Sequence, residues 1–103
     1  MKLGAKNGVL RIAVRSTQNE DKWILEGRLA GQVVDELTTA WKKTGGGRSG
    51  CKSVVDLVDV TFVDERGEQA LLEVMVEGAE FVARGVYTRS LLKSLSERCK
   101  REV

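Results

Sequence analysis

The stretch Val54-Val55-Asp56-Leu57-Val58-Asp59-Val60-Thr61-Phe62-Val63-Asp64-Glu65-Arg66-Gly67 decides how this chain folds. Val54-Val55 and Leu57-Val58 are apolar and rich in β-branched side chains, which suits a central strand buried on both faces. From Asp64 onward the apolar period becomes helical. Ala70, Leu71, Val74, Met75, Gly78 and Ala79 form one stripe and Glu68, Glu73 and Glu77 lie off it, so an amphipathic second helix is expected over residues 64–80. Asp64 and Glu65 then stand at its N-terminus, where unpaired amides and the helix dipole favour acidic side chains by about 0.3 to 1 kcal/mol each. Gly67, in the first turn, removes a side chain from the surface and lets another backbone come close.

Upstream, Leu10, Ile12 and Val14 alternate with Arg11, Ala13 and Arg15, the period of a strand with one buried face. A polar turn, residues 16–21, leads to a second strand over residues 23–29, and so short a connection makes the pair antiparallel. Gly27 marks a bulge or a close backbone approach. Gly31 opens a first helix on Val33, Val34, Leu37, Ala40 and Trp41, with acids Asp35 and Glu36 early and Lys42 and Lys43 late, as the dipole prefers. It ends in Thr44-Gly45-Gly46-Gly47. Downstream, Phe81-Val82-Ala83 reads as a short fourth strand, and Leu91, Leu92, Leu95 and Cys99 line a last helix over residues 88–101. The expected order is β-β-α-β-α-β-α in an α/β fold. Its mixed four-stranded sheet has the first two strands antiparallel and the later ones parallel, with the helices mainly on one face.

A chain of 103 residues with 42% hydrophobic content fits one domain, with its core at about residues 9–101. Net charge is only +2, but residues 53–83 hold eight acids against Arg66 alone, a local −7 that leaves +9 elsewhere. That asymmetry repels nucleic acid from the acidic segment and steers a basic partner toward it. Cys51 and Cys99 are read as free thiols, and with no apolar leader and no run of about 20 apolar residues the expected location is cytoplasmic, without direct membrane insertion.

The absence of histidine removes the usual general base and every Ser-His or Cys-His nucleophile pair. The cysteines form no CxxC pair, so no structural metal site and no cofactor is expected. Asp56, Asp59, Asp64 and Glu65 crowd the expected end of the third strand, where carboxylates can hold magnesium; solvated loop charges and a helix cap are the stronger reading. The loop at residues 45–53 has Cys51 between Gly50 and Lys52 and follows a helix, so it fails both the spacing and the context of a phosphate-binding loop. Arg89, Lys93, Arg98, Lys100 and Arg101, set against Glu97 and Glu102, suggest contact with nucleic acid or acidic lipid. Late cations also complement the helix dipole, and without aromatic stacking platforms the functional version is the poorer one. Trp23 and Trp41 read as core. Tyr87, with Arg84 and Gly85 in the loop after the fourth strand, reads as an exposed interface aromatic.

The segment quoted at the outset resembles the signature of STAS domains (sulfate transporter and anti-sigma factor antagonist), a buried strand running into a D-[ST]-x-G helix start. Leu25-Glu26-Gly27-Arg28-Leu29 is similar to the second strand of that family, and the order of elements matches over residues 9–101. The resemblance implies a STAS-like (SpoIIAA-like) fold and a non-catalytic bacterial regulatory module of signal transduction and transcription regulation. Its implied partner is an anti-sigma factor, a histidine-kinase-like ATPase or another STAS protein, and its implied partner-binding residues are Asp64, Glu65, Arg66, Gly67 and Glu68. Arg84, Gly85 and Tyr87 offer a second contact loop. In that family the residue after the motif aspartate is a phosphorylated hydroxyl; here it is Glu65, which cannot accept phosphate. Arg66 replaces a small residue and either pairs with Asp64 or points at a partner. The final strand and helix of many bacterial antagonists are missing, which makes this a minimal version. The alternative function is that of an accessory subunit of a membrane transport system for anions or lipids, where no phosphorylatable residue is needed.

Overall fold

The computed structural model describes residues 10–43 and 51–102, with side chains to residue 100; the N-terminal octapeptide and the glycine-rich part of the 45–53 loop lie outside the described residues. The elements are β1 (Arg11–Ser16), β2 (Glu20–Leu29), α1 (Val33–Lys43), β3 (Lys52–Val63), α2 (Glu65–Val76), β4 (Glu80–Val82) and α3 (Val86–Glu102). The strands lie side by side in chain order, β1 antiparallel to β2 and the β2–β3 and β3–β4 pairs parallel. Two successive crossovers in one direction place α1 and α2 on the same face. There α2 packs against both α1 and α3.

Between that face and the helices lies one apolar cluster. Leu25, Leu29, Leu57, Leu71 and Leu95 are its fully enclosed members, and Trp23 and Trp41 meet in it with ring centroids 5.5 Å apart. The Trp41 indole N–H reaches out of the cluster to donate to Glu77 Oε1 at 2.9 Å, giving a buried ring its polar outlet. The opposite face carries an ion pair across every strand pair: Arg11–Glu26 at 3.4 Å, Lys22–Asp56 at 3.9 Å and Lys52–Glu80 at 3.3 Å. Arg28 adds its guanidinium 4.6 Å above the Phe62 ring. This ladder solvates the face that no described helix covers.

Several boundaries differ from the sequence reading. β3 runs on to Val63, because it carries one extra residue relative to β2 between the Ile24 and Glu26 partners and another between those of Gly27 and Arg28. These bulges break the alternation that would have revealed its length. Gly27, at φ 104°, sits between the two, so the bulge expectation for it holds, and its carbonyl accepts from Thr61 Oγ1 at 3.2 Å. β1 buries Leu10 at its entry and half-buries Ile12, but Val14 runs past the helices into solvent. α2 stops at Val76 and does not reach residue 80: Gly78, at φ 104°, donates to the Met75 carbonyl while Ala79 donates to that of Val74, a Schellman termination. Gly78 therefore ends the helix and does not belong to its stripe. β4 begins one residue early, at Glu80, and α3 begins at Val86, so Tyr87 lies in its first turn and not in a loop. Among the described residues no helix is long and apolar enough to cross a membrane.

Candidate functional site

The start of α2 is built around Asp64. Its backbone is extended and its Oδ1 accepts from the Gly67 amide at 2.8 Å, the geometry of an N-cap. Oδ2 accepts from the Gly31 amide at 2.9 Å, tying the start of α2 to the turn that opens α1. The Asp64 N–H in turn donates to the Leu29 carbonyl at 3.2 Å. The Gly67 amide first, and then that of Gly31, hold the Asp64 carboxyl below the usual carboxylate range. Partial burial opposes them and the nearby Arg66 guanidinium assists.

Around this cap most of the expected contact residues are engaged by the protein itself. Gly67 is buried, and a Cβ there would collide with the Leu29 carbonyl oxygen and come within 2.8 Å of Val63 Cγ1. The backbone that approaches it is therefore that of β2, below the surface. Arg66 pairs with Asp35 of α1 at 2.8 Å, not with Asp64, and its side chain stays half-exposed at the surface. Glu68 pairs with Arg98 of α3 at 3.1 Å, both half-exposed. Glu65 alone of the five is exposed with no described hydrogen bond or ion pair.

The second expected contact segment comes to the same place. The Tyr87 hydroxyl accepts from the Val63 amide at 2.8 Å and donates to the Val63 carbonyl at 3.4 Å, one residue before Asp64. β4 pairs only with residues 54–56, so the end of β3, paired with β2 on one edge, lacks a strand neighbour on the other, and there the tyrosine bonds the Val63 amide and carbonyl. Gly85, at φ 90°, opens α3 by accepting from the Arg89 amide, and Arg84 is exposed beside it. Val86 is 87% exposed and Tyr87 45%, and together with Glu68 and Leu91 they line an open groove between α2 and α3.

The expected carboxylate cluster does not assemble. Asp56 lies within β3, accepting from the Val58 amide at 2.9 Å and facing Lys22, and Asp59 stands opposite Glu26. Among the described residues no three acidic or cysteine side chains gather as metal ligands. The acidic run is also less available than its count suggests, since Asp56, Glu68 and Glu80 are ion-paired, Asp64 caps a helix and Glu77 holds Trp41. The roles of Gly31, Asp35 and Arg98 had no local signal, because each partner is some 30 residues away in sequence.

No family model matches the chain, and no curated protein matches it. Among the solved structures that resemble it are the following two. An anti-sigma factor antagonist STAS domain from Rhodobacter sphaeroides superposes with a TM-score of 0.57 at 21% identity, over 77% of this chain and 89% of that one. An uncharacterised protein with a SpoIIAA-like fold from Shewanella loihica gives a TM-score of 0.51 at 11% identity, over 84% and 93%. The chain thus has the STAS-like, SpoIIAA-like fold, with its mixed sheet and its three helices in the same arrangement.

Proposed function

We propose that the protein is a non-catalytic regulatory module that docks a protein partner through the start of α2, in the manner of an anti-sigma factor antagonist. The observation that carries this reading is the state of Glu65. It is an exposed, uncommitted carboxylate at the first position of α2, on a turn held rigid by the Asp64 cap and flanked by ion pairs to α1 and α3. Tyr87, an aromatic of the type interfaces favour, is half-exposed and bonded to Val63, two residues before Glu65, with the exposed Val86 next to it in the chain. A partner offering a cation to Glu65 and an apolar side chain to Val86 and Tyr87 fits this surface.

Glu65 gives the site a fixed charge where a phosphorylatable hydroxyl would give a variable one, so docking here is constitutive with respect to that modification. Affinity capture from lysate with the wild-type protein and Glu65→Lys side by side tests the reading. An ATPase-type regulator or another STAS protein held by the wild type and lost from the variant supports it. Equal capture by both contradicts it.

A further inference from the structure

The solvent side of α3 presents a line of cations that the docking reading does not use. Arg89, Lys93, Ser96 and Lys100 are all exposed. At about 100° and about 1.5 Å per residue they fall within about 60° of one another over about 16 Å of helix, with the exposed Glu97 at the edge of the line, about 40° from Lys93. Val86, 87% exposed, stands at the head of the same line. Tyr87 and Arg98, which reach Val63 and Glu68, leave the helix on the opposite side.

The three cations have no described ion-pair partner, as is also true of Arg15, Lys42, Lys43 and Arg84, and what sets them apart is their alignment along one face of one helix. The helix dipole accounts for Lys100 near the C-terminus, but not for Arg89 and Lys93. Arg89 closes the first turn of α3, which holds no acid, and its cation meets the positive end of the dipole. The arrangement costs the isolated helix stability, and an external anionic surface would compensate it. Lysine is depleted at the centre of protein interfaces, and a single valine is a poor apolar core for one. A nucleic-acid strand would need stacking platforms, but the nearby tyrosine is bonded to the end of β3. A plane of phosphate headgroups asks only for charge in a line.

We propose that α3 lays the protein on an anionic membrane surface, with Arg89, Lys93 and Lys100 against lipid phosphates and the start of α2 left free. Three cations near such a surface correspond to about 100-fold preference for anionic over neutral bilayers, with binding weak, reversible and peripheral. The test is co-sedimentation of the full chain with vesicles of phosphatidylcholine alone or with about 30% phosphatidylserine, at about 0.1 M and about 0.5 M salt. The expected result is a strong preference for the anionic vesicles at low salt that is lost at high salt. The triple variant Arg89→Glu, Lys93→Glu, Lys100→Glu should lose it as well; because Lys100→Glu opposes the dipole at the helix C-terminus, the double variant Arg89→Glu, Lys93→Glu, with its helicity checked by circular dichroism, should also lose most of it while remaining folded. Glu65→Lys should keep it, which separates this site from the docking surface. No binding, equal binding to both vesicles, unchanged binding by the triple variant, or tighter binding to a DNA duplex at equal phosphate concentration would each overturn the proposal.

Discussion

Gly67 and Asp64 are neighbours in one turn with opposite reasons to be what they are. Any side chain at Gly67 is driven into the Leu29 carbonyl, a backbone group that cannot swing aside. Gly67→Ala is therefore expected to lower stability by about 1 to 3 kcal/mol, read as a lower denaturant midpoint. Asp64 acts through charge. Its folded carboxyl is the stronger acid, so the stability it contributes is complete above the ordinary aspartate range and is lost as pH falls through the lower folded value. Asp64→Asn should thus be the less stable protein near neutrality, and the gap to wild type should close below about pH 4 in unfolding curves taken at successive pH. A widening gap in acid would show that the cap is not ionised. The cap itself is legible in sequence as an aspartate before a helical period, but its bond to Gly31 is not, since nothing local links residues 33 positions apart.

Longer-range order was readable wherever one periodicity held over a whole element. α1 follows its apolar spacing and its charge placement from end to end, and Trp41 is buried as the stripe requires. β3 and the end of α2 were misjudged for physical reasons. Two bulges shift the strand's inward positions by a residue each, so its true length shows no single period. Gly78 falls at helical spacing from Met75 yet adopts a positive φ that stops the helix. Gly78→Ala has open space for its Cβ but an unfavourable backbone, and should cost about 1 kcal/mol in thermal or chemical unfolding. Tyr87→Phe strips the Val63 amide of its partner on the edge of β3 that faces away from β2. It is expected to cost about 1 kcal/mol and to speed hydrogen exchange at Val63.

Across the whole molecule, charge reads differently in space than along the chain. The acidic run from residue 53 to 83 looks like a docking surface in sequence, but most of its carboxylates hold the sheet, the helices or an indole in place. What is left at the C-terminal rim of the strands is narrow: Glu65 at the start of α2, the half-exposed Tyr87 that bonds Val63, and Phe62 under Arg28 on the sheet's open face. The fold was legible from element order. The site was legible only in outline, because ion pairs between helices decide which of its charges stay free. The most direct measurement is the dissociation constant of the captured partner for wild type and for Glu65→Lys, taken with the thermal midpoint of each. The account predicts affinity at least about tenfold weaker, with stability changed by no more than about 1 kcal/mol. Unchanged affinity in an equally stable variant would contradict it and leave Glu65 as nothing more than a helix-terminal charge.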